Sequence, residues 1–264
     1  MRFRRLLVTA ICAALALAAC TSNGPSGSDS SPRAIELTVF AASSLTAAFT
    51  QIGSDFEAAN PGTTVTFNFG SSGDLAASIE SEGTADVFAS ASGTYMDDVS
   101  NKVGVSGRAD FAQNRLVVIT PPENPAGVTS LEGLAKPGVQ VVLAAEGVPV
   151  GDYARESLKS AGIEKAVIAN VVSNEEDDAS VVAKVTSGEA DAAIVYVSDV
   201  TSAVAPQVRA VQIPDAVNVL ATYPIAVVSS TTHPETAQSF VDYVTAPDGQ
   251  ATLADFGFLP PPAA

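Results

Sequence analysis

The chain has 264 residues, of which 47% are apolar, so it can bury one large hydrophobic core or two smaller ones. It carries 13 Lys and Arg against 29 Asp and Glu, a formal net charge of −16. Such an acidic surface repels nucleic-acid phosphates and anionic lipid headgroups, which excludes DNA and RNA as partners.

The first segment, residues 1–20, is typical of an export signal. Three arginines in the first five residues precede an apolar run at 6–19, which is too short for a permanent membrane span. The run ends in Leu-Ala-Ala-Cys, which resembles a bacterial lipobox, and Cys20 is then the residue that receives the lipid. The alternative is an ordinary signal peptide that is cleaved near an Ala-x-Ala site, with no role for Cys20.

Residues 21–33 are rich in Ser, Gly and Pro and are predicted to form a flexible tether between the membrane and the folded body. The two cysteines of the chain, Cys12 and Cys20, both lie in the leader. The body therefore has no disulfide, no thiolate metal ligand and no cysteine nucleophile.

From Ile35 onward, short β-branched runs alternate with segments that have apolar residues at helical spacing. Strands are predicted, in chain order, at 35–40, 65–69, 87–90, 116–120, 139–144, 167–172, 192–196 and 225–228. Helices are predicted at 45–56, around Leu75 and Ile79, at 96–103, 153–161 and 179–186, and from His233 onward. Residues 197–220 show no clear pattern. This alternation predicts an α/β fold with parallel sheets.

Two turns of the same design follow the first two predicted strands. Phe40–Thr46 (FAASSLT) and Phe69–Leu75 (FGSSGDL) each pass from a strand through small residues to a helix start. Hydroxyl groups and the unpaired N–H groups of a helix N-terminus can bind an oxyanion without any net charge. A serine before a helix is also a simple cap, so one such turn is a weak signal; two at one sheet edge favour a binding site.

The sequence patterns of common enzymes are missing. The single histidine, His233, precedes Pro234 at a predicted helix start, which favours a surface position, and no Gly-x-Ser-x-Gly, Walker or HExxH motif occurs. The acidic run at 175–178 is compatible with a hard metal ion. The dipole of a helix N-terminus also favours acidic residues, and we prefer that interpretation. No catalytic residue and no protein-bound metal is predicted.

Five separated motifs resemble the molybdate-binding proteins of ABC importers, in that family's order and spacing. They are FAASSLTAAF (40–49), FGSSGDLAASIESEGTADVFASAS (69–92), VPVGDYARESL (148–158), EEDDASVVAKVTSGEADAAIVYVSD (175–199) and YPIAVV (223–228). The resemblance implies a two-lobed type II periplasmic-binding fold, in which each lobe is a mixed, mainly parallel sheet flanked by helices. The ligand then lies in the cleft. The implied divisions are a signal peptide (1–20), a tether (21–33), a first lobe (34–116 plus 223–264) and a second lobe (117–222).

The resemblance also implies a site of neutral donors for a tetrahedral oxyanion, without a cofactor. The implied oxyanion-binding residues are Ser44, Ser72, Val150, Asp178 and Tyr196, with Ser43 adjacent. Asp178 stands where the family has an apolar residue that donates its backbone N–H, and an inward carboxylate would repel a dianion. We therefore expect its side chain to point outward. Arg155 and Lys159 are likewise expected to face water.

The chemistry of the candidate ions narrows the cargo. Molybdate, tungstate and sulfate are fully deprotonated at neutral pH, whereas phosphate carries a proton and favours a carboxylate acceptor, so a donors-only site disfavours phosphate. The resulting interpretation is a monomeric, extracytoplasmic lipoprotein, held at the cell membrane by its lipid, that delivers molybdate or tungstate to an ABC permease. A sulfate receptor, an enzyme on the same fold and a surface lipoprotein without a transport role are the alternatives.

Overall fold

The computed structural model of this protein describes residues 34–263. The predicted signal peptide, the tether and Cys20 lie outside the described residues. Within the described range, no helix combines the length and the apolar composition that crossing a bilayer requires.

Ten strands in the described range form two mixed sheets of five strands each. Their bounds are β1 Ile35–Ala42, β2 Thr63–Gly70, β3 Val87–Ala89, β4 Val105–Asn114, β5 Leu116–Thr120, β6 Val141–Ala144, β7 Val171–Glu175, β8 Ala192–Tyr196, β9 Arg209–Gln212 and β10 Ala221–Val228. The first sheet has the order β2-β1-β3-β10-β4 and the second the order β7-β6-β8-β5-β9. In each sheet three adjacent strands pair in parallel, and β10 or β5 runs antiparallel to both of its neighbours, so four of the five strands share one direction. The two sheets therefore share one plan.

The chain passes between the sheets twice. Arg115 alone separates the end of β4 in the first sheet from the start of β5 in the second. The chain returns between β9 and β10. Each sheet with the helices beside it forms a lobe, so the first lobe is discontinuous in sequence and the second is inserted within it.

Eight α-helices accompany the sheets in the described range. They are α1 Thr46–Ala59, α2 Ser72–Glu82, α3 Gly93–Lys102, α4 Pro149–Ser160, α5 Glu164–Ile168, α6 Asp178–Thr186, α7 Pro234–Thr245 and α8 Pro247–Asp255. A 3₁₀ turn, Ser43–Leu45, connects β1 to α1. Helices α1, α2, α4 and α6 each follow one of the parallel strands β1, β2, β6 and β7. Parallel strands end at the same edge of a sheet. The N-termini of α1 and α2 therefore lie along one edge of the first sheet, and those of α4 and α6 lie along one edge of the second.

The periodic apolar residues of the sequence form the core that holds these helices in place. Phe49 and Phe56 of α1 are buried against Phe240 of α7, with ring centroids 6.1 and 5.2 Å apart in edge-to-face geometry. Strands β5 and β8 are buried along their whole length in the second sheet. Burial on both faces explains their continuous apolar sequences.

The α/β class and the two-lobed arrangement are confirmed, and the strands at 116–120 and 192–196 have the predicted bounds. The strand predicted at 167–172 is wrong, because α5 ends at Ile168 and β7 begins at Val171. The Val-Ile pair at the end of this helix and the Val-Val pair at the start of the strand together imitate one β-branched run. The sheets are also mixed, whereas alternation alone predicts parallel ones.

Gly151 allows α4 to begin close to the end of β6. A Cβ atom at this position would lie 2.4 Å from the carbonyl oxygen of Ala145 and 2.5 Å from that of Ala144. We expect Gly151→Ala to lower the free energy of unfolding by about 1–3 kcal/mol, as overpacking does, in urea titrations.

The matched control is Gly93→Ala, in the first turn of α3, where the nearest atom to the new Cβ is the flexible Arg108 Nη2 at 3.9 Å. This change should leave stability unaltered or raise it by up to about 1 kcal/mol, because alanine is the better helix former. Equal losses in the two variants would contradict the packing explanation.

Candidate functional site

Four helix starts meet at one small cavity between the two lobes. The 3₁₀ turn before α1 and the first residues of α2, α4 and α6 all contribute to its wall. The lining residues are Ala42, Ser43, Ser44, Gly70, Ser71, Ser72, Ala91, Val148, Pro149, Val150, Asp178 and Tyr196. The first N–H groups of a helix have no acceptor within the helix, and the dipole makes this end positive. The cavity is therefore suited to an anion.

All six residues that the sequence analysis selected within the described range line this cavity: Ser43, Ser44, Ser72, Val150, Asp178 and Tyr196. The first three belong to the first lobe and the others to the second. The cavity has a volume of about 10 Å³. A space of this size is about that of one water molecule, which excludes a sugar or a peptide in this conformation.

Tyr196 supplies a hydroxyl that the protein itself does not use. The residue is 1% exposed, and its Oη has no hydrogen-bond partner among the described residues. Burial raises the pKa of this phenol well above its ordinary value, so the group stays protonated and can act as a donor. A buried donor without an acceptor is unfavourable, and an oxyanion in the cavity would satisfy it.

Ser72 is held so that its proton is available to the cavity. Its Oγ accepts a hydrogen bond of 3.0 Å from the backbone N–H of Ala91, at the end of the loop that follows β3. Because this bond occupies a lone pair rather than the proton, the hydroxyl can still donate.

Ser44 is oriented by a buried polar pair that the sequence analysis missed. Its Oγ lies 2.9 Å from Tyr223 Oη, and the Asn114 amide donates to the same phenol oxygen over 3.4 Å. Because the Tyr223 oxygen accepts from Asn114, the Tyr223 hydroxyl can donate its proton to Ser44. The Ser44 hydroxyl can then donate its own proton to a ligand in the cavity. Tyr223 lies in the YPIAVV motif, but nothing in the sequence distinguishes Asn114 from other residues at strand ends.

The expectation for Asp178 is wrong, because its side chain is buried and 3% exposed. Its carboxyl group accepts a hydrogen bond from Ser43 Oγ and forms part of the cavity wall. The neighbouring Asp177 takes the capping position of α6 and accepts from the N–H of Ser180 at 2.7 Å. Asp178 is thereby placed one residue further along the helix, on the side that faces the first lobe.

Two causes raise the pKa of Asp178, namely burial and the nearby charge of Asp177, while the hydrogen bond from Ser43 partly offsets them. The acidic run therefore belongs to a helix start, as preferred above. No group of three or more His, Cys, Asp and Glu side chains in residues 34–263 is arranged to hold a metal ion.

Arg155 also departs from expectation, since its guanidinium does not face water. Its Nη1 donates to the carbonyl groups of Ala144 and Gly151 at 2.8 and 2.9 Å, and Nη2 donates to Asn174 Oδ1 at 2.8 Å. These bonds fasten the first turn of α4 to the second sheet. Lys159 is exposed, as expected. The lining of the cavity contains no Lys, Arg or His, so its donors are neutral.

The chain was compared with families and structures already known. A family model described as bacterial extracellular solute-binding protein matches residues 37–259. The molybdate-binding protein ModA of Mycobacterium tuberculosis is 42% identical over 248 residues, which cover 93% of each chain.

Two solved structures share the fold. The periplasmic molybdate-binding protein of Azotobacter vinelandii superposes with a TM-score of 0.76 at 21% identity, over 86% of this chain and 100% of the other. The sulfate-binding protein SubI of Mycobacterium tuberculosis has a TM-score of 0.74 at 17% identity, over 86% and 87% of the two chains.

The unpaired phenol leads to a test on the ligand-free protein. Tyr196→Phe removes a buried hydroxyl that has no partner, so we expect it to raise the free energy of unfolding by about 1 kcal/mol. Tyr223→Phe removes a hydroxyl bonded to Ser44 and Asn114 and should lower it by about 1 kcal/mol or more. Urea unfolding measures both, and equal losses would show that Tyr196 has a structural partner.

Proposed function

The chain belongs to the bacterial extracellular solute-binding protein family, and from this premise we propose that it captures molybdate outside the cell and delivers it to an ABC permease. The relative with 42% identity carries the name molybdate-binding protein and matches almost the full length of the chain. The role is binding rather than catalysis.

The observation that carries the proposal is the set of neutral donors that face one cavity. The hydroxyl groups of Ser44, Ser72 and Tyr196 and the N–H groups at the starts of α4 and α6, at Val150 and Asp178, surround one small cavity. A tetrahedral dianion can accept from all of them. Donors that are already fixed replace the ion's water without reorganisation, and each bond to a charged group contributes roughly 1.5–3 kcal/mol.

Capture requires both lobes. Ser44 and Ser72 belong to the first lobe, whereas Val150, Asp178 and Tyr196 belong to the second. Contacts between Ser43 and Asp178 and between the Tyr95 phenol and the Gly147 carbonyl join the lobes at the cavity. Closure therefore assembles the complete donor set and excludes water, the motion expected of a hinged binding protein.

The choice among oxyanions depends on size and protonation. The relative at 42% identity favours molybdate, and tungstate has the same charge and shape. The sulfate-binding neighbour shares the fold alone. The Asp178 carboxyl is an acceptor in a wall of donors, so hydrogen phosphate is the competitor that a binding test must include.

We further propose that the protein acts as a monomer anchored to the outer side of the cell membrane through lipid on Cys20. Family membership supports an extracytoplasmic location, and the lipobox-like tetrapeptide supports the anchor.

The binding proposal is tested by calorimetric titration with molybdate, tungstate, sulfate and phosphate at fixed salt. We expect molybdate and tungstate to bind more tightly than sulfate and phosphate. Ser44→Ala and Ser72→Ala should each lower molybdate affinity by about ten- to a hundredfold, because part of a buried dianion loses its partner.

The control variant is Ser81→Ala, an exposed serine on the same helix as Ser72 that lies outside the cavity wall. It should leave affinity unchanged. Tightest binding of sulfate or phosphate would refute molybdate as the cargo, and unaltered affinity in both cavity variants would refute this site.

The anchor is tested in cells by fractionation and by the size of the mature protein. Cys20→Ala should prevent lipid attachment, so that the protein is released or stays unprocessed. Cys12→Ala, within the same apolar leader, should behave like the parent. Normal processing and membrane retention of the Cys20 variant would rule out the lipid anchor.

A further inference from the structure

Two carboxyl groups lie side by side behind the donor cavity. Asp178 comes from the first residue of α6, and Asp199 comes from the 3₁₀ turn Val197–Asp199 that follows β8. Both carboxyl groups face the same space, on the side of Asp178 away from the donor cavity. Asp199 Oδ2 accepts from the backbone N–H of Tyr196 at 2.8 Å, which ties the pair to the residue that carries the unpaired phenol. Two ionised carboxylates that are neighbours repel each other, and a proton on one of them removes this repulsion.

Among residues 34–263, no positive charge compensates this pair. Asp177 faces it from α6, Tyr196 from β8 and Tyr223 from β10, and all of these groups are neutral or negative. The turn before α1 contributes the neutral Ser43. A second cavity on the other side of Asp178, of about 470 Å³, is lined by hydroxyl, apolar and carboxyl side chains, again without Lys, Arg or His.

Two negative charges are therefore unfavourable at this position. Burial raises the pKa of both carboxyl groups. The charge of Asp177 adds to the rise at Asp178, and the charge of Asp178 adds to the rise at Asp199, whose pKa is well above its ordinary value. A third and fourth negative charge, from a dianion in the adjoining cavity, would increase the repulsion further.

We propose that oxyanion capture is coupled to protonation of the Asp178–Asp199 pair, which holds one proton in the ligand-free protein and two in the complex. The inference rests on the proposed function of the same cavity. The second proton comes from the solvent and changes the pair from a charge of −1 to 0. It removes the repulsion between Asp178 and the ion and converts an acceptor in the wall into a donor.

The proposed coupling between oxyanion binding and protonation fixes the direction in which affinity changes with pH. Because binding takes up a proton, affinity for the dianion rises as the pH falls, by at most tenfold for each pH unit. The effect spans the interval between the pKa of the singly protonated pair without ligand and its pKa in the complex. His233, the single histidine of the chain, lies at the start of α7 and lines neither cavity, so it does not imitate this behaviour.

The test is calorimetric titration of the full protein with sodium molybdate between pH 6.5 and 8.5, at fixed ionic strength. Each pH is measured in two non-phosphate buffers of different ionisation enthalpy, and the dependence of the observed heat on that enthalpy gives the protons taken up. Molybdate is fully deprotonated in this range, so any proton belongs to the protein. We expect uptake that approaches one proton and an affinity that rises toward low pH.

The variants separate proton coupling from a purely structural role. The double variant Asp178→Asn/Asp199→Asn keeps the shape of the pair but has no carboxyl group to protonate, so uptake and pH dependence should disappear. Asp177→Asn is the matched control, since asparagine caps a helix as well as aspartate and the pair is intact. It should retain the uptake of the parent. Should the double variant fail to fold, the proton count of the parent still decides.

Tight binding by the parent without proton uptake would overturn this inference and leave the proposed function intact. Uptake that persists in the folded double variant would also overturn it. Loss of binding in the double variant at every pH would overturn it as well, because binding would then require a carboxylate rather than a protonated pair. If none of molybdate, tungstate and sulfate binds, the proposed function fails and this inference fails with it.

Discussion

A dianion that is buried without any cation must be stabilised by dipoles, and this constraint explains most of the architecture. A single helix N-terminus contributes roughly half a positive charge that fades within its first turn. Several must therefore converge on one point, and here four helix starts do so. Convergence in turn requires small residues in the turns, such as Gly70 and Ser71, because the backbones must approach the ion closely.

Two sheets with the same arrangement of strands bring these helix starts together. Each lobe has a parallel pair of strands, β1 and β2 or β6 and β7, whose following helices begin at the same edge. When these edges face one another, the helix starts enclose the ion from both sides. The antiparallel strands β10 and β5 contribute differently, because they return the chain across each sheet. The strand β10 also brings Tyr223 beneath Ser44.

The sequence predicts those parts of the molecule that local chemistry determines. Strands β5 and β8 are buried on both faces, so their continuous apolar sequences predict them. The serine turns are predictable because the strand, the small residues and the helix follow one another directly in the sequence. Strand β4 was not predicted, since only three residues of its sequence VSGRADFAQN are buried and the strand is held by pairing with β10 rather than by its own pattern. The same applies to the short strand β9, which lies at the edge of its sheet.

Side-chain direction at the site could not be predicted in the same way. The run at 175–178 indicates a helix start, but whether Asp177 or Asp178 caps it depends on where β7 ends, and the two choices send Asp178 to solvent or to the cavity. The pairing with Asp199, 21 positions away, exists only once β8 lies between β6 and β5. Asn114 and Tyr223, 109 positions apart, meet through the pairing of β4 and β10.

Neutral donors also suit a protein that must give its cargo up. A lysine or arginine in the cavity would belong to one lobe and would hold the anion there after the lobes separate. Here each lobe carries only part of the proposed donor set, with Ser44 and Ser72 on one side and Val150, Asp178 and Tyr196 on the other. Opening therefore removes two or three bonds at once, each worth roughly 1.5–3 kcal/mol, which lowers affinity by at least about a hundredfold. The guanidinium of Arg155, in α4, instead donates to the carbonyl groups of Ala144 and Gly151, where it fixes the helix and leaves the ion free to depart.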